Sequence, residues 1–559
     1  VGAGNDRSLA RDARRADSAE HEDERPGLPG GSVHPLSCLR AWPRRLRGGD
    51  DKGGNPVTVT EDYSEDLAVI HDPESKEPFH VEQHGIDFIP ESERWATPRD
   101  IGGMWAGASV QIEYFIYGAI LMTFGLTFAQ VVIIIVLGNL SFFLLGLCSL
   151  QGPNAGTTVF AINRAPFGPN GGRPISFFNW ITQIGFEVEG LILIVGSGLV
   201  LMIKAGYLPG DPAKVILVIL AVLVQGILPF LGHAAIVKTL RWLVLPFVIL
   251  FAILLGFAVP HANLQVVKVS GDWQAFMEAL AFTIALSGLG WTENGNDYTR
   301  YCPTNTSKKG IIGWVFLGTA VPEILIMTLG AVVGTFVLKI GTGAGGLLPF
   351  AHTSAIPAWF VVVFLLFAIV QIFGINSLDM YSSGVTLQAI GVPVKRYQAV
   401  LVDCVIALGV TMYAIFSASF TQYLSDFVDI VIIWIAPWSA IFLVDWALRR
   451  YRYVPSELQK TGRDSLYWRS GGIHWPAWVA QLLGMFAAVS GLSATFHLPT
   501  WMNEVTYHTR DAYGFGADFS VFMGMGVGAL VYLVLALRGV GKEADAQESF
   551  LRQEGLLAS

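Results

Sequence analysis

The chain has 559 residues, of which 52% are hydrophobic, 12% aromatic and only 14% charged, with a mean hydropathy of +0.50. Soluble proteins carry about 25% charged residues, so this composition excludes a soluble enzyme, a nucleic-acid binder and a disordered scaffold. The long apolar runs also exclude an outer-membrane barrel, whose strands would alternate over about 10 residues, and the net charge of −8 says little about partners because acids concentrate in the polar N-terminal stretch.

Residues 1–95 are rich in Arg, Asp, Glu, Gly and Pro and show no helical apolar period. Such a segment cannot offset its ordering entropy by burial, which predicts a disordered cytoplasmic N-terminus. No apolar stretch follows its basic residues, so it is not a signal peptide. Much of 1–56 reads as upstream sequence translated from a misplaced start, with the true start near Val57. Peptides from 1–50 found in the native protein by mass spectrometry would refute that.

From Ile101 the character changes. A spanning helix needs about 20 apolar residues, and the pattern predicts spans at 102–124, 129–150, 175–203, 214–232, 240–260, 275–298 (broken), 311–338, 358–384, 398–419, 425–447, 476–496 and 518–538. The expectation is an all-α polytopic membrane protein with a transporter domain over 96–540 and a short cytoplasmic tail over 541–559. One set of alternate loops holds Arg164, Arg173, Lys238, Arg241, Arg300, Lys308, Lys309, Lys395, Arg396, Arg449, Arg450, Arg452, Lys460, Arg463 and Arg469. The other set holds only Lys204, Lys214, Lys268, Lys339 and Arg510. Basic loops stay cytoplasmic, which puts both termini in the cytoplasm and the chain in a cell (inner or plasma) membrane. Trp105, Trp242, Trp314, Trp475 and Trp501 lie near span ends and suit interfacial anchors, or packing. Cys38, Cys148, Cys302 and Cys404 have neither metal-ligand spacing nor a disulfide framework.

Two spans read as discontinuous. The first has Gly102, Gly103 and Gly107, then Ser109, Gln111 and Glu113; the sixth has Ser287-Gly288-Leu289-Gly290-Trp291 followed by Thr292, Glu293, Asn294 and Asn296. Glycine-interrupted segments five spans apart point to a transporter site, where unwound main chain offers N–H and C=O groups at mid-membrane. Close helix packing explains Gly103 and Gly107 equally well, but not the polar residues beside them.

Ionisable groups within spans cost roughly 2.5–3.5 kcal/mol on the lower scales and mark function by default. Glu113, Glu187, Glu189, Glu293, Glu323 and Asp379 are such groups. At 100° per residue, Gln183, Phe186, Glu187 and Gly190 share one face of the third span. An amide, an aromatic plate, a carboxylate and a gap suit a planar, hydrogen-bonding heterocycle. Glu189 falls off that face, so one of the two glutamates should meet solute and the other pair with a neighbouring helix or carry a proton. Asn376, Asp379 and Ser383 share a face of the eighth span, fit either for reading a nucleobase edge or for an interhelical network. Trp291 is placed to stack on an aromatic solute or to act as an anchor.

At these residues the chain resembles the nucleobase–cation symporter family, in its purine–cytosine permease branch. Trp105 through Glu113 resembles the family's first-helix pattern. Asn163-Arg164-Ala165-Pro166-Phe167-Gly168 resembles its Arg-x-x-Phe-Gly loop. Gly290-Trp291 with Asn296-Asp297-Tyr298-Thr299-Arg300-Tyr301 is similar to its sixth-helix signature, and Asn376-Ser377-Leu378-Asp379-Met380-Tyr381-Ser382 to its eighth-helix string. The resemblance covers about 95–540. It implies about twelve helices, as a five-plus-five inverted repeat with two extra C-terminal helices, and import of nucleobases or related heterocycles with Na⁺ or protons. It also implies substrate positions at Gln183, Phe186, Asn376 and Asp379. Sodium-coupled members place hydroxyls a few residues before the eighth-helix amides, where this chain has Phe373-Gly374-Ile375. Missing hydroxyls and added acids, among them Glu113, favour the proton.

The expectation is therefore a non-enzymatic importer of a small nitrogen heterocycle, working by alternating access in the lipid bilayer. Gln111, Gln183, Phe186, Glu187, Trp291, Asn376 and Asp379 would contact solute; Glu113 or Glu189 would carry the coupling proton; Asp297 and Arg300, at i and i+3, would form a structural pair. No cofactor, metal or nucleic acid is called for, with H⁺ the coupling ion ahead of Na⁺. An amino-acid or amine transporter on the same inverted-repeat fold, an allantoin-, hydantoin- or thiamine-type permease and a solute sensor are the rival readings.

Overall fold

The computed structural model describes residues 84–553, except 231–232, 268–270, 338–339, 341–345, 395, 418–419 and 493–515. The disorder expected for 1–83, the start near Val57, Cys38, Trp501, Lys268, Lys339, Lys395 and Arg510 lie outside these residues. Within them the regular structure is helical, with no strand.

Among the described residues, helical backbone is found within each predicted span. In chain order the principal helices are α1 (Pro98–Ser109), α2 (Ile112–Leu121), α3 (Phe128–Asn139), α4 (Phe142–Cys148), α5 (Gly172–Lys204), α6 (Asp211–Gln225), α7 (His233–Ala258), α8 (Trp273–Ile284), α9 (Gly295–Thr299), α10 (Lys308–Gly334), α11 (Ala358–Ile390), α12 (Arg396–Ser417), α13 (Phe420–Leu448), α14 (Trp475–Gly491) and α15 (Ser520–Gln553). Among the described residues, nine helical stretches are long and apolar enough to cross a membrane. The first span is divided into α1 and α2, and α6 and α14 are shorter, at 15 and 17 residues.

The polarity of the fold is inverted relative to a soluble protein. Leu223, Val405 and Val534 are each about two-thirds exposed on the outside, while Gln183, Glu187, Glu293, Glu323 and Gln371 are wholly enclosed. A lipid solvent demands this arrangement, because it offers no partner to a polar group. Small residues let the broken first span approach α10 closely. A Cβ added at Gly118 would collide with the Met327 main chain, and one at Gly330 with that of Phe115. Gly107 is likewise pressed on Leu240, whereas Gly103 has only the tip of Arg241 nearby and is not needed for packing.

Residues 84–95, read from sequence as part of the unstructured segment, are instead laid against the loops. Ile89 N donates to Gly156 O at 2.8 Å, Thr157 Oγ1 to Ile86 O at 2.6 Å and Arg300 Nη1 to Gly85 O at 2.6 Å. Polar composition concealed this, because the partners lie on distant loops and meet main-chain groups of the segment. Of the two roles open to the span-end tryptophans, Trp105 takes packing: it is buried, edge-on to Trp291 and Tyr298, while Trp242 and Trp475 are exposed.

The arginine-rich ends of the helices carry a buried ionic network. Arg449 Nε donates to Asp445 Oδ2 at 2.8 Å, and its Nη2 to Glu543 Oε2 at 3.1 Å. Arg469 also bonds Glu543, and Tyr532 donates to Asp445 Oδ1 at 2.6 Å. Burial lowers Arg164 to about 10, helped by Arg173, so it stays charged and donates to Leu458 O at 2.6 Å. Burial, then the neighbouring Arg469, lowers His474 to about 4. Its ring is therefore neutral, with Nδ1 2.7 Å from Pro166 O.

Candidate substrate site

Both discontinuities are real breaks. α1 ends at Ser109; Val110 (φ −83°, ψ 73°) leaves helical geometry and Gln111 (φ −140°, ψ 163°) is extended before α2 begins. The sixth span runs as α8, widens into a π-turn over Ala285–Leu289 with Ser287 at φ −98° and ψ −123°, tightens at Thr292–Asn294 and resumes as α9. Gly288 permits this bend: a Cβ there would strike the Ser141 main chain, and its N–H donates to Ser141 Oγ at 2.9 Å. Chain interruptions of this kind are confined to protein-lined interiors.

Phe186 of α5 and Trp291 lie nearly parallel, 10° apart with centroids separated by 6.1 Å. Gly290 leaves room for the Phe186 ring. Phe427 from α13 closes on Phe186 edge-first at 4.8 Å. Trp291 cannot spin freely, because its Nε1 donates to Tyr114 OH at 2.8 Å.

Around these rings the polar groups converge from four spans. Gln183 Nε2 donates to Asn294 Oδ1 at 3.1 Å, linking the third span to the sixth. Asp379 lies within electrostatic reach of Glu113, Glu187, Glu189 and Glu293, which come from the first, third and sixth spans. What distinguishes the cluster is incompleteness. Gln111 Oε1, Gln183 Oε1, both Glu187 oxygens, Glu293 Oε2, Asn376 Oδ1 and Asp379 Oδ1 are buried with no hydrogen-bond partner. Native interiors leave few such atoms, and each asks for an explanation. All of these are acceptors, so the complementary solute is one rich in N–H donors.

Several sequence-predicted roles are divided differently. Asn376 spends its Nδ2 on Glu187 O and Gln225 Oε1, each at 3.1 Å, leaving only Oδ1 free. Ser383 donates to Asp403 Oδ2 at 2.7 Å, so part of the eighth-span face is an interhelical network. Glu189 is the paired glutamate of the third span, taking the Tyr117 hydroxyl, and Glu187 the unpartnered one. Asp297 and Arg300 interact electrostatically, while Asp297 Oδ1 accepts from Val159 N at 3.0 Å and Arg300 Nε donates to the Asp297 main-chain O at 3.3 Å. Arg300 also donates to Tyr381 OH at 2.8 Å. Both residues are structural, but each fastens a different element.

Tyr114, Tyr117, Gln225, Asp403 and Phe427 were not singled out from sequence. Gln225 and Asp403 carried a signal, as lone polar residues in apolar runs. Tyr114 and Tyr117 carried one only by their proximity to Glu113. Among the described residues no group of three or more His, Cys, Asp or Glu is arranged to hold a metal.

Comparison with known proteins places this geometry. Residues 88–510 match the family model described as permease for cytosine/purines, uracil, thiamine, allantoin. The chain belongs to this family. Among curated permeases of the family, it is similar to the purine-cytosine permease fcyB of Emericella nidulans, 25% identical over 492 residues and covering 82% of this chain and 88% of that one. It is also similar to the purine-cytosine permease FCY21 of Saccharomyces cerevisiae, 26% identical over 481 residues and covering 81% and 85%. Among solved structures, the nucleobase-cation-symport-1 transporter Mhp1, in a closed conformation with bromovinylhydantoin bound, aligns with a TM-score of 0.64 at 17% identity, covering 85% of this chain and 99% of that one. At that identity the likeness speaks for the fold. The permease is thus a membrane-embedded transporter with the helical architecture of Mhp1.

Proposed function

We propose that the permease imports a nucleobase, or a closely related nitrogen heterocycle carrying several N–H donors, by cation symport, with the proton as coupling ion. The observation that carries this reading is the set of buried, unpartnered acceptors grouped around the Phe186–Trp291 plates. A flat ring presenting amino and ring N–H groups to Gln183, Glu187, Asn376 Oδ1 and Asp379 would satisfy them while stacking, and base–aromatic stacking contributes about 1–3 kcal/mol per base. Many carboxyls in one enclosure disfavour an anionic solute. Glu113, at the start of α2 just after the first-span break, and Glu189, which takes the Tyr117 hydroxyl, carry the coupling proton in this reading.

Transport would follow alternating access about this midplane site, with two five-helix repeats, both termini cytoplasmic and the plasma or inner membrane as location. The test is uptake of labelled cytosine and hypoxanthine by cells expressing the chain, with and without protonophore and Na⁺. Saturable uptake abolished by protonophore is expected. Uptake indifferent to protonophore but dependent on Na⁺ overturns the coupling assignment. Normal uptake by a Gln183→Ala, Asn376→Ala double variant overturns the site.

A further inference from the structure

One buried carboxyl lies apart from the solute-facing acceptors. Glu323 of α10 is fully enclosed. Its Oε1 accepts from Ser109 Oγ at 3.2 Å, at the residue where α1 stops. Its Oε2 has no hydrogen-bond partner. Beside it, within hydrogen-bonding reach of the carboxyl, stands the buried hydroxyl of Ser287, the bend residue of the sixth span. Tyr114 completes the surround: its hydroxyl accepts from Trp291 Nε1 and faces the Glu323 carboxyl. A single carboxyl therefore touches both chain interruptions and, through one tyrosine, reaches the plate on which solute would stack.

No cationic side chain faces Glu323 among the described residues. Of the elements packed on α10, α2 brings Tyr114 as the facing titratable group. α3 brings the neutral Asn139, which is occupied at Met327. The Cys148 thiol of α4 lies by Glu293 instead. α7 sends Arg241 to Asp100, nine residues and so about 13 Å before Ser109 along the helix. A carboxylate buried without a counter-charge costs several kcal/mol. The neutral acid avoids that cost and gains one O–H to donate, for which the Ser287 oxygen is an acceptor within reach.

We infer that Glu323 is a proton-binding site, and that loading it fastens the bend at Ser287 and so holds Trp291 in place, making proton and heterocycle bind cooperatively. The inference rests on the proton-coupled reading above and deepens it. The carboxylate takes one proton from the side it faces and returns it to the other; no other bond is made or broken. Solute affinity then falls as pH rises through the site's midpoint, and by linkage bound solute raises the site's hold on its proton.

The test uses the full-length permease in lipid nanodiscs. Infrared spectra followed against pH should show a titrating carboxylic-acid band in the wild type that Glu323→Gln lacks. A difference spectrum without such a band overturns the site, whether or not any heterocycle binds. Binding of labelled cytosine and hypoxanthine is then measured across pH. One fully coupled proton changes affinity about tenfold per pH unit, and Glu323→Gln, which mimics the loaded acid, should keep the tight, acid-side affinity at alkaline pH. Tyr114→Phe should keep the infrared band yet lose the pH dependence. Wild-type pH dependence in Glu323→Gln overturns the cooperative role. Should Glu323→Gln not fold, Ser287→Ala retains the carboxyl and should move the band's midpoint; an unmoved midpoint counts against the inference. If neither heterocycle binds the wild type, the substrate reading falls, while the infrared result still decides the proton site.

Discussion

Buried carboxyls meet opposite treatment in two regions of the permease. At the arginine-rich end, Asp445 and Glu543 are each held by guanidinium groups, with Tyr532 adding a hydroxyl to Asp445. At mid-bundle, Glu187 has no hydrogen-bond partner at all, and Glu293 and Asp379 each keep one oxygen unpartnered. Asp445 is as fully buried as the mid-bundle acids, so burial alone does not separate the two regions. What separates them is completion. A closed set of charges fixes one geometry, whereas an open set keeps capacity for something that arrives and leaves.

If that contrast holds, damage to the two regions should read out differently. The largest effect is expected for Asp445→Ala. It strands Arg449 in a buried site, and breaking such a pair costs about 3–5 kcal/mol. The yield of folded protein and its melting temperature should drop, while uptake per folded molecule is retained. A variant that folds normally but cannot transport would break the comparison. Next comes Asp379→Ala, which removes a buried acceptor, and a buried donor left without its partner costs about 1–3 kcal/mol. Solute affinity should weaken by about 5- to 150-fold with little change in melting temperature. Trp291→Leu removes one plate, and aromatic pairing contributes about 0.5–1.5 kcal/mol beyond area. A few-fold weaker half-saturation for aromatic heterocycles is expected.

The smallest effect concerns His474. Its pKa in the fold, about 4, is below the unfolded value near 6.5. Between those values the unfolded chain binds the extra proton, so stability is lost as pH falls through that window and is complete above it. Melting temperatures recorded from pH 7 down to 4 should decline in the wild type. The decline should be shallower in His474→Asn, whose amide can still donate to Pro166 O.

Most of the architecture was readable before any coordinates. Apolar run length sets the spans, and glycine beside polar residues marks both breaks, because few other arrangements place Gly288 and Gln111 within lipid-depth sequence. Helical phase was enough to gather Gln183, Phe186 and Glu187. Phase could not tell what Asn376 would find across the gap, since Gln225 lies 151 residues earlier. It equally concealed that Tyr114 would tether Trp291, that Val159 N would occupy Asp297, and that the polar segment at 84–95 would find partners on distant loops. One-dimensional pattern reports which face of a helix is polar; the identity of the group it meets depends on tertiary approach.

The bond from Gly288 N–H to Ser141 Oγ ties the kink of the sixth span to the gap between α3 and α4. Two walls of the bundle are thereby riveted at the very places where each could flex. In the alternating access proposed above, rocking that carries one wall would drag the other, so the moving body would be a pair of helices rather than a lone hinge. Even a methyl at position 288 would act as a wedge between them.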